Sequence, residues 1–199
     1  MSGAPRLVLA SASPQRRAIL EQLGVAFDVR PAGVREEARG EPRTVALANA
    51  RRKALAVGAT DGDLVLGADT IVAVDGDILG KPAGARQARQ YLARLAGRRH
   101  EVVGGIALAS AGTVLASDAV VTGVDFRAVG PELLDWYVGT GEWQGRAGGY
   151  AIQGRGAALV AGVCGDYLNV VGLPVARLLE LWPRLLPAPS TATGTPMQR

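Results

Sequence analysis

Apolar residues along this chain recur in two rhythms. Short aliphatic and β-branched runs bounded by Gly, Pro or Asp read as strands, and apolar positions three and four apart read as one face of a helix. Residues 6–10 (RLVLA) form a short buried strand. Ser11-Ala12-Ser13 turns the chain, and Pro14 suits the first position of a helix, whose fixed φ it already has. That helix keeps Ala18, Ile19 and Leu23 on one face and stops at Gly24. A strand over 25–30 and a polar loop over 31–40 follow. Pro42 opens a second helix, with Val45, Ala46, Ala50, Ala54 and Val57 at helical spacing. Residues 63–74 (DLVLGADTIVAV) form a long apolar strand, and Asp75-Gly76 signals a hairpin turn. A helix over 84–96 precedes two long strands, 100–109 and 113–127, joined through Ala111-Gly112. A helix starts at Pro131. The glycine-rich stretch 145–156 reads as a loop, 157–164 and 166–171 as strands, and a last helix follows Pro174. Strands and helices alternate, with hairpins among them, so the fold class is α/β with a mixed sheet flanked by helices. The pattern places one domain over residues 1–186 and a disordered, proline-rich tail over 187–199.

Composition narrows the chemistry. The 199 residues are 48% hydrophobic and 20% charged, as in an ordinary globular protein. No apolar run is long enough for a membrane span, and the N-terminus has no secretory pattern, so no membrane association and a cytoplasmic location are expected. Cys164 is the single cysteine, and no intrachain disulfide can form. The net charge of +4 comes from dispersed arginines, and few aromatics accompany them. A nucleic-acid surface would show a basic stripe with stacking rings, so no nucleic-acid partner is expected. With one His and one Cys there is no Cys₂His₂ or His₃ metal set. His100, at the start of a strand, is expected to be structural. Any metal must be a hard ion such as Mg²⁺ or Mn²⁺, held by carboxylates and substrate oxygens.

Of 22 basic residues only Lys53 and Lys81 are lysines. Lysine is a compact point charge where arginine is a planar fork, so two lysines kept among arginines mark places suited to a point charge, and polyphosphate is a common reason. Lys81 lies in the rigid turn Gly80-Lys81-Pro82. Ser11-Ala12-Ser13-Pro14, at the head of a helix with Arg16 one turn in, suits phosphate: free backbone N–H groups, hydroxyl donors and a guanidinium converge there. Asp69 interrupts an apolar strand at Gly67-Ala68-Asp69-Thr70, where burial is costly without a partner or a metal. With Glu36 it could hold Mg²⁺ on a triphosphate, or take a proton from water. Gln153, in Tyr150-Ala151-Ile152-Gln153-Gly154, carries both a donor and an acceptor for reading a base edge. Residues 145–156 fail as a dinucleotide fingerprint, and residues 76–81 fail as a P-loop.

In order along residues 6–183, these segments, with Val171-Gly172-Leu173-Pro174, resemble the Maf family of nucleoside triphosphate pyrophosphatases. The resemblance implies an elongated, cleft-bearing fold of the inosine-triphosphatase-like type, often dimeric. It also implies hydrolysis between the α and β phosphates to a nucleoside monophosphate and pyrophosphate. By position, Asp69 matches the general base and a metal ligand, and Glu36 an acidic residue at the metal. Lys53, Lys81 and Arg16 match phosphate contacts, and Ser11 and Ser13 the phosphate-binding turn. Thr70 and Gln153 match the branch acting on dTTP and UTP. The nearest alternatives are the same chemistry on a methylated purine such as 7-methyl-GTP, and a non-hydrolysing nucleotide sensor in cell division. Two positions depart from the pattern. Gln15 stands where a specificity arginine is usual, and Gly104 where Thr is common.

Overall fold

The computed structural model describes residues 6–58 and 62–186; the expected tail from 187 lies outside the described residues. Seven strands form one mixed sheet: β1 (Arg6–Leu9), β2 (Phe27–Val29), β3 (Asp63–Val74), β4 (Asp77–Leu79), β5 (Arg99–Ser110), β6 (Thr113–Phe126) and β7 (Val160–Cys164). Their order is β2-β1-β3-β5-β6-β7, with β4 paired to β3. β1 runs parallel to β2 and β3, and the remaining pairs are antiparallel. The two hairpin turns read from the sequence are present. Asp75 and Gly76 have φ of 54° and 81°, and Ala111 and Gly112 have 47° and 75°, the consecutive positive φ values that suit a tight turn between twisted strands.

Among the described residues, six α-helices cover this sheet: α1 (Pro14–Gln22), α2 (Pro42–Ala56), α3 (Ala85–Leu95), α4 (Pro131–Gly139), α5 (Tyr167–Val171) and α6 (Val175–Leu181). Side chains alternate faces along β3. Leu64, Leu66 and Ala68 join Leu7, Leu9, Ile19, Leu20 and Leu178 in one apolar cluster with α1 and α6. Further along the same face, Val72 and Val74 join Leu92, Leu95, Leu134 and Tyr137 in a second cluster with α3 and α4. The opposite face, with Val65 and Ile71, packs against Ala46, Ala50 and Ala54 of α2. Glu41 caps α2, its carboxylate accepting from the backbone N–H groups of Arg43 and Thr44.

Two glycines let α2 lie unusually close to the sheet. A Cβ on Gly67 would overlap Ala50 O and stand 2.6 Å from Ala54 N; one on Gly105 would overlap Ala46 O and stand 3.0 Å from Leu47 N. The sequence expectation differs from the fold at the C-terminal end. The segment read as a strand over 166–171 is helix α5 with its N-cap, because Asp166 caps it by accepting from Leu168 N and Asn169 N. A short apolar run has no period that separates the two states, and the cap decides. Residues 155–159, partly assigned to a strand, form a 3₁₀ turn before β7.

The outer edge of β3 changes partner part-way. Leu66 is its last residue paired with β1, and Val72 is the first paired with β4, while β5 runs unbroken along the other edge. Residues 67–71 therefore have no strand beside them on the outer side, and a cavity opens there, between the two apolar clusters. A change of neighbour in a sheet is where α/β folds commonly place their ligands.

Candidate active site

The cavity has a volume of about 580 Å³ and is lined by residues from the β1–α1 turn, the 31–36 loop, α2, the gap in β3, the Lys81 turn and the 144–153 segment. Ser11, Ser13, Gln15, Arg16, Glu36, Lys53, Asp69, Thr70, Lys81 and Gln153, every site residue expected from the sequence, line it. Asp69 and Thr70 are neighbours on a strand and so point to opposite faces; the gap in β3 lets both reach one cavity.

Asp69 faces α2. Its Oδ1 lies 2.7 Å from Lys53 Nζ, and its Oδ2 accepts from Asn49 Nδ2 at 2.9 Å. Lys53 Nζ is also 2.7 Å from Glu36 Oε1, and it donates to Ala68 O at 3.2 Å, one of the carbonyls left without a strand partner. Lys53 and Asp69 are both buried while Glu36 is exposed, so one buried ammonium joins a desolvated carboxylate to a solvated one. Lys81 completes the group from the solvent side, 3.2 Å from Glu36 Oε2. Burial pushes the Glu36 carboxyl up, and the two lysines outweigh it, holding Glu36 below the usual carboxylate range. Asn49 was not singled out from the sequence. It exchanges two hydrogen bonds with the backbone of Glu37 (Glu37 N to Oδ1 at 2.8 Å, Nδ2 to Glu37 O at 2.9 Å), which docks the loop that carries Glu36. Its position one helical turn before Lys53 was the available signal.

Thr70 faces α1. Arg16 is buried and spends its guanidinium on three acceptors: Gly172 O at 2.9 Å, Ser11 Oγ at 2.8 Å and Thr70 Oγ1 at 2.9 Å. Burial lowers the Arg16 pKa from its ordinary value, opposed by the charges of Asp69 and Glu36. Ser11 Oγ accepts also from Ser13 N at 3.3 Å, which leaves its own hydroxyl hydrogen for another acceptor. Gln15 takes a bond from Ser13 Oγ at 3.1 Å, while Arg17 pairs with Glu21 at 2.7 Å, outside the cavity lining, and does not replace the arginine missing at position 15.

Gly172 O is brought to Arg16 by α5, and Asn169 holds α5 to the sheet by donating to Val102 O, Val120 O and Thr122 Oγ1 at 3.0–3.1 Å. This accounts for Gly104: a Cβ there would overlap Asn169 Oδ1, so in this chain the glycine makes room for the asparagine. Behind the cavity wall, Glu142 accepts from Arg155 N, Gly156 N and Tyr137 Oη, each at 3.0 Å, and fixes the turn that follows Gln153. His100 is structural as expected. It is buried behind the cavity, edge-on to Phe126 and Tyr150, with Nε2 2.8 Å from Tyr150 Oη. Burial lowers its pKa to about 4.

Residues 6–185 match the Maf family, described as Maf-like protein. The chain belongs to the Maf family. Maf relatives of high similarity include three named dTTP/UTP pyrophosphatase. The protein from Anaeromyxobacter sp. (strain Fw109-5) is 50% identical, with 97% of this chain and 96% of the relative covered. That from Moorella thermoacetica is 48% identical, covering 88% and 93%, and that from Thermus thermophilus is 45% identical, covering 92% and 97%. Among solved structures, a HAM1 protein from Coxiella burnetii is similar at 18% identity and a TM-score of 0.44, over 63% of this chain and 74% of that one. Among the described residues, no helix is long and apolar enough to cross a membrane.

Proposed function

We propose that this Maf protein hydrolyses dTTP and UTP between the α and β phosphates, releasing the nucleoside monophosphate and pyrophosphate. The observation that carries the reading is Lys53 Nζ held at 2.7 Å from both Asp69 and Glu36 on the wall of a nucleotide-sized cavity. The relatives' names support the substrate assignment.

In this reading Asp69 is the general base. Its Oδ2 is engaged by Asn49 alone, so a second lone pair can accept a proton from water aimed at the phosphorus. Lys81 and Lys53 face the negative charge that grows on the leaving pyrophosphate. Arg16, held in place by three neutral oxygen acceptors, shapes the Ser11–Ser13 turn, whose hydroxyls and N–H groups receive phosphate oxygens. Gln153 is exposed on the cavity wall and offers its amide to the base edge. Thr70 anchors Arg16.

Glu36 and Asp69 would hold the metal, Mg²⁺ or Mn²⁺. Two carboxylates suit an ion that takes its remaining ligands from phosphates and water, and no group of three His, Cys, Asp or Glu suited to a metal occurs among the described residues. When bound, the ion would polarise the phosphoryl oxygens. A homodimer is proposed from the family resemblance, and sedimentation equilibrium is its test.

The experiment is pyrophosphate release from canonical and methylated nucleoside triphosphates with each metal, using wild-type and Asp69→Asn protein. Release from dTTP and UTP, lowered about 10²-fold or more in the variant, is expected. Turnover mainly of a methylated purine, or full activity in Asp69→Asn, refutes the assignment.

A further inference from the structure

The cations around the cavity differ in how fully they are engaged. Arg16 has three oxygen acceptors, Lys53 has Asp69, Glu36 and Ala68 O, and Lys81 has Glu36. A fourth, Arg146, also lines the cavity. Among the described residues its guanidinium has no hydrogen-bond or ion-pair partner, and its Nε is fully buried with no acceptor. Glu142, the acid four residues before it, already accepts from Tyr137 Oη, Arg155 N and Gly156 N.

A guanidinium nitrogen withdrawn from water without an acceptor costs free energy, and the group gains it back only when an acceptor arrives. The backbone around Arg146 holds it in place meanwhile. Arg146 N donates to Trp143 O at 3.2 Å, and Gly149 N returns a bond to Arg146 O at 3.1 Å. Gly148 has a φ of 67°, and a Cβ there would stand 2.8 Å from the Val72 side chain, so this turn is pressed against β3. Gly148 N donates to Gly80 O at 3.1 Å, which ties the Arg146 turn to the Lys81 turn. The two cations are thus mounted on hydrogen-bonded neighbouring turns that both line the cavity.

We propose that Arg146 is a further substrate-binding residue, which receives non-bridging phosphate oxygens of the triphosphate beside Lys81. The proposal rests on the nucleotide reading of this cavity. Arg146 can bind without first giving up an ion pair, whereas Lys53 and Lys81 must share theirs with Glu36. A planar fork also takes two oxygens of one phosphate, which an ammonium does not. With a neutral Gln15 in the phosphate turn, Arg146 supplies a positive charge that no carboxylate already holds.

The test is binding of inorganic tripolyphosphate, followed by calorimetry, together with KM and kcat for dTTP and UTP, in wild-type, Arg146→Met and Arg146→Lys proteins. Thermal unfolding of each variant reports folding. Arg146→Met should weaken tripolyphosphate binding and raise KM for both nucleotides by about tenfold or more, with unchanged preference among bases, and Arg146→Lys should recover part of the loss. Unchanged tripolyphosphate binding in a folded Arg146→Met protein overturns the proposal. So does a loss confined to nucleotides, which would make Arg146 a reader of base or sugar. If tripolyphosphate binds through Arg146 but neither dTTP nor UTP is hydrolysed, the substrate assignment fails and the phosphate site stands.

Discussion

Gly67→Ala tests whether the closeness of α2 to the sheet builds the Lys53–Asp69 pair. The added Cβ would stand 2.6 Å from Ala54 N and 2.9 Å from Ala54 Cβ, and closer still to Ala50 O. Ordinary carbon contacts begin near ~3.5 Å, so the helix backbone must retreat by about 1 Å. The neighbours are the backbone of α2 and the Ala54 Cβ, with no flexible side-chain end to yield. The cost should reach the upper part of the overpacking range, about 3 kcal/mol. Lys53 and Asn49 ride on the displaced helix and reach Asp69 at 2.7 and 2.9 Å, so a retreat of this size stretches both contacts beyond hydrogen-bond range. Chemical unfolding and steady-state hydrolysis of dTTP should show both effects: a lower midpoint, and a kcat reduced by about 10²-fold in the fraction that remains folded. A Gly67→Ala protein with wild-type stability and turnover would refute the claim that this contact sets the geometry.

Two further outcomes follow from residues behind the cavity wall. His100 stays neutral in the fold and has a native pKa of about 4 against 6.5 for the free side chain. Protons therefore bind the unfolded chain first, and the stability present above about pH 6.5 is lost as the pH falls toward 4. The loss is about 3 kcal/mol, and His100→Phe should remove that part of the pH dependence, read by urea unfolding at pH 7 and 4.5. Glu142→Gln replaces one of two acceptor oxygens with an NH₂ group that cannot accept, so Arg155 N and Gly156 N, which bond to different oxygens of Glu142, can no longer both be satisfied. It should lower stability by about 1–3 kcal/mol and raise KM for dTTP and UTP through the loosened turn beside Gln153, as thermal unfolding and kinetics would register.

The sequence made the cavity's chemistry legible because that chemistry depends on rare residues in conspicuous places. An acid in an apolar strand and two lysines among arginines stand out locally, and all of them meet at one site. The order of strands and helices was equally readable from period and turn residues as far as the 145–156 loop, except β4, whose three residues were announced only by the Asp75-Gly76 turn before them. Residues 166–171 were misread because the segment is too short to show a period, and only the Asp166 cap distinguishes a helix turn from a strand there. Asn49, Asn169 and Glu142 stayed hidden for a different reason. Each acts through backbone groups distant in sequence, and no local pattern announces such a partner. Gly67 and Gly105 look like ordinary strand glycines until α2 is seen lying on them.

The break in partners along β3 also fixes a reading frame. Leu66 is pinned to β1 and Val72 to β4, so the five residues between them cannot slide. Inserting or deleting one residue in that interval would exchange the addresses of Asp69 and Thr70, turning the carboxylate toward Arg16 and the hydroxyl toward Lys53. The Asp-Thr pair therefore has meaning only at this exact count. Length variation among relatives should collect in loops such as 31–40 and 127–130, and the stretch from Leu66 to Val72 should keep its length wherever the chemistry is kept.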